Sequence, residues 1–127
     1  MCLDITYANP KKKYPKGKTY IGYKIFSQNI NNTLSNVSAN AIYTIFKTNK
    51  WIPDINKYIL YTDETSEKYM TGFHLYASKQ AANEYAKLLY FALDEVWKVE
   101  FRDVVAVGKQ NGRKVIVARK IKLIERI

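Results

Sequence analysis

The sequence predicts an α+β fold in which a mostly antiparallel sheet packs against one main amphipathic helix. Residues 78–93 repeat apolar side chains at helical spacing, whereas residues 97–127 alternate apolar and polar side chains as strands with one wet face do. Between these strands, Asn111-Gly112 is the dipeptide most typical of a tight hairpin turn. Strands grouped around a single helix predict a sheet with that helix on one side.

The central segment, residues 71–89, is expected to run from a strand directly into the helix. Residues 71–77 alternate in a strand pattern, and Gly72 leaves room beside the backbone. Ser78 then stands immediately before the apolar-periodic run. It is the expected helix N-cap, because its hydroxyl can accept from the amide groups that the first helical turn leaves free. The apolar stripe of the predicted helix consists of Ala81, Tyr85, Leu88 and Ala92.

The N-terminal part is predicted to be a basic arm or surface loop over residues 1–19, followed by a strand over residues 20–26. Prolines and repelling lysines disfavour regular structure in the arm. Within the strand, Ile21 is expected on one face and Lys24 on the other. The arm could contact phosphates, although a solvated loop is the alternative. Its candidate phosphate-binding residues are Lys11, Lys12 and Lys13.

The middle of the chain carries weaker signals. Residues 27–41 are polar and predict a long loop or a short irregular helix, and residues 41–48 suit a strand, with a helix left open. Residues 51–54, Trp-Ile-Pro-Asp, are interpreted as a break. A short strand over residues 58–61 and an acidic turn over residues 62–67 are expected before the central segment.

After the helix, a strand is predicted over residues 97–102, then a second short strand over residues 103–107 that ends at Gly108. Beyond the hairpin turn, residues 113–127 predict a long strand with a cationic outer face. If the strands pair in register, basic side chains from both would share one sheet face and form a phosphate-binding stripe. A solvated face is the simpler alternative. The members of this stripe are Lys98, Arg102, Lys120, Lys122 and Arg126.

Composition bounds the possible functions. The 127 residues suit a single domain, and one cysteine allows neither an internal disulfide nor a cysteine metal cluster. The longest strongly apolar run, residues 88–93, is too short to span a bilayer, so no membrane partner and a cytoplasmic location are expected. A net charge of +10 favours polyanionic partners. The alternative is compositional drift in an AT-rich genome, such as that of a phage, a large virus or a low-GC bacterium.

Residues 72–86, Gly-Phe-His-Leu-Tyr-Ala-Ser-Lys-Gln-Ala-Ala-Asn-Glu-Tyr-Ala, resemble the central strand and helix of ADP-ribosyltransferase-like domains. Residues 96–102 and 113–127 resemble the family's later strands, and residues 20–26 could be its first, so the resemblance covers about half of the chain. It implies an NAD pocket in which Tyr85 stacks on nicotinamide. The family's catalytic glutamate is expected just before the last strand, where this chain has Arg113 and Lys114. The resemblance therefore implies a scaffold without catalysis and without a cofactor. The chain also resembles small phage and viral proteins that begin Met-Cys-Leu and contain Gly-Phe-His.

Three functions follow from these observations. The first is a non-catalytic phage or viral accessory protein that binds a nucleotide-like ligand, nucleic acid or a host protein, through a pocket near His74 or through the basic face. The second is an active NAD-dependent ADP-ribosyltransferase, and the third is a nucleic-acid-binding module. Each pocket residue also has a structural alternative. For His74 it is a histidine that only forms hydrogen bonds within the protein, and for Tyr76 and Tyr85 it is an ordinary aromatic core. The candidate ligand-binding residues are Tyr23, Lys24, Gly72, His74, Tyr76 and Tyr85; no metal site is predicted.

Overall fold

Two long antiparallel strands, Asp94–Gln110 and Arg113–Arg126, form the largest element of the fold. The structure is a computed structural model that describes residues 3–6, 13–28, 34–36, 48–54, 57–88 and 94–127. Within these ranges it has nine strands and one α-helix. They are β1 (Ile5–Thr6), β2 (Tyr20–Gln28), β3 (Leu34–Asn36), β4 (Trp51–Pro53), β5 (Ile59–Tyr61), β6 (Lys68–Met70), β7 (Phe73–Tyr76), α1 (Lys79–Leu88), β8 (Asp94–Gln110) and β9 (Arg113–Arg126).

Four of these strands close into a ring. β8 pairs with β2, β2 with β7, β7 with β9, and β9 with β8, all antiparallel. The contact of β2 with β7 is the narrowest of the four pairings, through Tyr23 and Tyr76. β1, β3 and β4 extend the sheet from β8, β2 and β9, while β5 and β6 form a separate two-stranded sheet.

The ring encloses an apolar interior. Side chains from all four ring strands meet there, and Ile52 of β4 and Tyr14 complete the cluster. Because a closed sheet removes its inner face from water, these residues are almost fully buried. The largest members that the four ring strands contribute are Phe26, Phe73, Leu75, Phe101, Ile116, Ile121 and Leu123.

A second apolar cluster lies on the outside of the ring, beneath α1 and β6. Ala82 of α1 and Tyr69 of β6 pack there against outward side chains of the ring strands, including Tyr76 and Val117. The helix begins as the sequence predicts, because the Ser78 hydroxyl accepts a hydrogen bond from the Ala81 amide at 3.1 Å. The sheet is thus buried on two sides where α1 covers it.

The coarse architecture predicted from the sequence, a mostly antiparallel sheet with one helix, is confirmed. The hairpin turn is confirmed too, since Asn111 and Gly112 have φ angles of 51° and 73°. The strand expected from residue 20 is present as β2, and the short strand expected at residues 58–61 is present as β5. The helix is described to Leu88, so its expected extension to residue 93 lies outside the described residues.

Other expectations were wrong. Residues 51–54 contain strand β4 where a break was predicted. Pro53 is tolerated because, among the described residues, β4 is an edge strand whose one partner is β9, so its missing amide is not needed by a second neighbour. Residues 94–110 are one strand, not two. Asp103 has a positive φ of 58°, and a register shift follows between Val104 and Ala106, so the strand bends and continues through Gly108.

The polar segment also differs from its prediction in part. Residues 27 and 28 still belong to β2, and residues 34–36 form β3, where a loop or irregular helix was expected. The strand or helix expected at residues 41–48 lies outside the described residues except for Thr48, which forms an isolated parallel bridge with Leu123. Lys11 and Lys12 of the basic arm are likewise outside them.

Burial on β2 differs from what its alternation predicts at two positions. Ile21 is 47% exposed, whereas Lys24 is only 6% exposed. Alternation identifies the two faces of a strand, but the elements that cover each face decide which positions lose contact with water. Lys24 lies on the same face as Phe26, and this face is the interior of the ring.

We predict that Phe101→Ala lowers the free energy of unfolding by about 3–5 kcal/mol, because it empties a fully buried position in the ring interior. Ile21 is the β2 residue after Tyr20, the partner of Phe101, and its side chain is 47% exposed. Ile21→Ala should therefore change the free energy of unfolding by about 0.5 kcal/mol or less. Urea unfolding followed by circular dichroism measures both. Equal losses from the two variants would contradict the assignment of the ring interior as the core.

Candidate functional site

His74 is held by a continuous chain of hydrogen bonds. Its Nδ1 lies 3.2 Å from the Gly72 carbonyl oxygen, and its Nε2 lies 3.2 Å from the Tyr69 hydroxyl. A carbonyl can only accept, so Nδ1 carries the proton and Nε2 accepts from Tyr69. The Tyr69 oxygen in turn accepts from the Leu3 amide at 2.9 Å. Burial, and then the charge of Lys24, lower the pKa of His74 to about 3. His74 is therefore neutral near pH 7, with both ring nitrogens in use.

Lys24 projects into the ring interior. Its Nζ donates to the His74 carbonyl oxygen at 3.2 Å and lies 5.5 Å and 5.9 Å from the centres of the Phe26 and Phe73 rings. Burial lowers the pKa of Lys24 to about 8, and the charge of Asp54 partly opposes this shift. The amine is thus enclosed by protein on the inner side of β2.

The remaining candidate residues of the predicted pocket contribute to packing. The rings of Tyr76 and Tyr85 lie 5.7 Å apart beneath α1, and Tyr23 packs against the same cluster. Burial raises the pKa of Tyr76. At Gly72, a Cβ atom would lie 2.6 Å from the Ala118 carbonyl oxygen, so the glycine allows β7 to approach β9. The structure therefore brings together His74 with Gly72, and Tyr76 with Tyr85, through contacts within the protein.

A different surface combines cations with an aromatic ring. On the outer face of β8, β9 and β4, the guanidinium carbon of Arg102 lies 4.3 Å from the centre of the Trp51 ring. The Nζ of Lys122 lies 5.2 Å from the same centre. These contacts follow from register, since Trp51 pairs with Lys122, and Arg102 pairs with Lys120 across the neighbouring strands. We call this surface the Trp51 basic face: Trp51, Lys98, Arg102, Lys120 and Lys122.

The strand register places Lys98, Arg102, Lys120 and Lys122 on one sheet face, as the sequence predicts. Arg126, predicted on the same face, pairs instead with Trp97, and its guanidinium lies 3.2 Å from the Glu95 carboxylate. Two carboxylates form ion pairs with the lysines of this face. Glu100 is 3.3 Å from Lys122, and Asp103 is 3.7 Å from Lys120. All four of these side chains keep contact with solvent, so each ion pair contributes little to stability, about 0–1 kcal/mol. An incoming anion could compete with such carboxylates.

The basic arm approaches the same surface. The Arg102 Nε donates to the Thr19 hydroxyl at 2.7 Å, which places the exposed residues Lys16 and Lys18 near the Trp51 basic face. Lys13, also predicted to bind phosphate, lies over the Tyr14 ring beside Lys114, whose proximity lowers the pKa of Lys13. Neighbouring cations of this kind favour binding of an anion.

Sequence reasoning missed Trp51 because residues 51–54 were interpreted as a break. The available signal was the tryptophan and isoleucine immediately before Pro53. Aromatic and β-branched residues favour strands, and proline is compatible with an edge strand. The basic residues of the face were found because strict alternation along β8 and β9 is visible in the sequence itself.

Comparison with protein-family models, with curated proteins and with solved structures finds no match to this chain. The resemblance of residues 72–86 to ADP-ribosyltransferase-like domains, and the NAD cofactor that it would bring, therefore stay predictions. In the part of the chain that the structure describes, no helix has the length and apolar character needed to cross a membrane.

The buried amine of Lys24 should make stability depend on pH. Its pKa is about 8 in the folded state and about 10.5 when unfolded, so the unfolded chain binds more protons between these values. The free energy of unfolding should thus rise from pH 7.5 to pH 9.5, by on the order of 1–2 kcal/mol. Urea unfolding at several pH values measures this rise. In Lys24→Met the rise should disappear; a rise that persists in this variant would assign it to another group.

The histidine chain predicts a fixed tautomer. Between about pH 5 and pH 8 the His74 ring should remain neutral with its proton on Nδ1, because its pKa is about 3. Nitrogen-15 and carbon-13 chemical shifts of the imidazole report both properties. Tyr69→Phe removes the hydroxyl that Nε2 accepts from and should raise the pKa of His74. Titration of wild-type His74 near pH 6.5 would contradict this arrangement.

Proposed function

We propose that this protein binds single-stranded nucleic acid on the Trp51 basic face. The observation that carries the proposal is the stack of Arg102 on Trp51, 4.3 Å from guanidinium carbon to ring centre, with Lys122 beside it. Proteins that bind single strands combine planar stacking groups with cations that follow the phosphate backbone. The Trp51 basic face offers both on neighbouring strands.

Stacking supports a single strand as the ligand. A base can stack on an indole ring or on the plane of a guanidinium group, but only if the base is not already stacked in a duplex. Trp51 is partly exposed on an edge strand, where an extended chain can approach it. Arg102 holds the indole ring of Trp51 in position, so the Trp51 side chain loses little conformational entropy on binding.

Charge supports a polyanionic ligand. The chain carries a net charge of +10, and the exposed lysines of the arm lie on the side of the molecule that Thr19 joins to Arg102. Binding phosphates releases condensed counterions, so the affinity should fall steeply with salt. Glu100 and Asp103 lower the local positive charge and should restrict the strand to a defined path along the face.

The alternative pocket around His74 has weaker support. Both nitrogens of His74 and the hydroxyl of Tyr69 are engaged within the protein, and the Tyr76 and Tyr85 rings contact each other. A nucleotide there would have to replace these contacts. On the Trp51 basic face, it would replace only solvent and partly exposed ion pairs.

We predict that Trp51→Ala weakens binding of a labelled single strand of about ten nucleotides by about 5- to 150-fold, because base stacking on an aromatic contributes about 1–3 kcal/mol. Fluorescence anisotropy at about 50 mM and about 200 mM salt measures the affinity and its salt dependence. Lys122→Gln and Arg102→Gln should each lower the slope of log affinity against log salt by about 1.

Tyr61→Ala is the matched control, since Tyr61 is an aromatic residue 52% exposed on β5, away from the proposed surface. It should bind like the wild type. A direct readout uses Trp97→Phe, which removes the other of the two tryptophans in the chain. The fluorescence of Trp51 in this variant should be quenched by the oligonucleotide. Equal binding by Trp51→Ala and wild type, or absence of binding at low salt, would refute the proposal.

A further inference from the structure

A cavity of about 290 Å³ opens next to the Trp51 basic face. Its volume is near the lower end for ligand pockets and suits a single planar ring system. Val104 and Val105 supply apolar surface, and Tyr14 forms an aromatic wall. Three charged side chains, Lys16, Asp103 and Arg119, complete the lining.

The bend of β8 creates this cavity. Asp103 directly follows Arg102 of the Trp51 basic face, so the cavity begins one residue from the Arg102 and Trp51 stack. Asp103 has a positive φ of 58°, and the register shift between Val104 and Ala106 interrupts the regular pairing of β8 with β9. Bulges of this kind redirect side chains and are frequent beside functional sites. Here the redirected side chain is a partly exposed carboxylate, 25% accessible.

The lining of the cavity carries one acceptor and two cations. The Asp103 carboxylate can only accept hydrogen bonds when ionised. The Arg119 guanidinium donates to the Thr71 and Asp54 carbonyl oxygens at 2.7 Å and 2.6 Å and lies 3.9 Å from the Asp54 carboxylate, and these contacts hold it at the cavity. Lys16 is exposed at the cavity edge and free to follow a ligand. A complementary ring therefore carries both hydrogen-bond donors and acceptors.

Among the common bases, guanine fits this pattern. Its N1–H and N2–H donors are adjacent and match the two oxygens of one carboxylate, whereas its O6 and N7 acceptors are the usual partners of Arg and Lys. Adenine and cytosine each offer a single amino group beside a ring acceptor. Uracil and thymine have one ring N–H between two carbonyl groups. Only guanine supplies two neighbouring donors for Asp103.

We propose that this cavity binds a guanine base of the strand held on the Trp51 basic face, with Asp103 as the residue that determines specificity. The inference rests on the proposed function, since the backbone must first be held by the neighbouring cations. Unstacked bases in single strands are commonly read through their Watson–Crick edges in this way. The chemistry is common to RNA and DNA, because it uses the base alone.

The test compares single strands that differ at one base. A uridine strand of about ten nucleotides and its thymidine DNA counterpart are each prepared with one central guanosine, inosine or adenosine. Inosine keeps O6, N7 and N1–H but lacks the 2-amino group, and it serves as the matched control for stacking. We expect the guanosine strand to bind about tenfold more tightly than the adenosine strand, with inosine between them.

Asp103→Asn tests the residue. Asparagine tolerates positive φ, so the bend should persist, but its amide presents one donor where the carboxylate has a second acceptor. The ratio of guanosine to adenosine affinity should fall to about twofold or less. The ratio is the readout, because loss of the Asp103 charge also releases Lys120 and should strengthen binding of every strand.

The outcomes separate the two proposals. Strands that bind with equal affinity at all central bases, or an Asp103→Asn variant that keeps the guanosine preference, would overturn the guanine pocket while leaving the Trp51 basic face intact. Strands that do not bind at all would overturn both. Amide chemical shifts with the guanosine strand as the probe should change at residues 103–105; changes confined to the surroundings of Trp51 would also overturn the pocket.

Discussion

The fold depends on β8 and β9 pairing along nearly their whole length while also pairing on their other edges. β8 contacts β2 and β1 on its second edge, and β9 contacts β7 and β4. The two strands therefore bring the shorter strands together, and no short strand has to be stable alone. The narrow contact between Tyr23 and Tyr76 then suffices to close the ring, because the chain on both sides is already held by the hairpin.

Such long strands can serve two sets of partners only if they bend. Register shifts at Lys98/Val99 and Val104/Ala106 provide the curvature that turns a flat hairpin into a closed sheet. The same bend at Asp103 opens the cavity beside Arg102. Curvature and the proposed recognition site thus share one structural cause, and a change that straightened β8 would affect both the closure of the ring and the cavity.

The polar groups of the molecule fall into two sets. His74 and Lys24 lie at the ring and use their hydrogen-bonding groups within the protein, on the Gly72 and His74 carbonyl oxygens. Burial shifts the pKa values of His74 and Lys24 toward the neutral forms, as expected for charge in a poorly solvated interior. The side chains of the Trp51 basic face remain in contact with water, which leaves them available to a ligand.

The sequence by itself determined the features that depend on a few neighbouring residues: the Asn111-Gly112 turn, the Ser78 cap, and the alternation that placed Arg102 and Lys120 on one face. Each depends on local backbone geometry, which near neighbours decide. Tertiary structure alone decided that Trp51 joins an edge strand, that Lys24 faces the interior, and that β8 continues past Asp103. These outcomes depend on partners distant in the sequence and on closure of the ring. A short segment becomes a strand only when another strand pairs with it, and a polar side chain becomes buried only when another part of the chain packs over it.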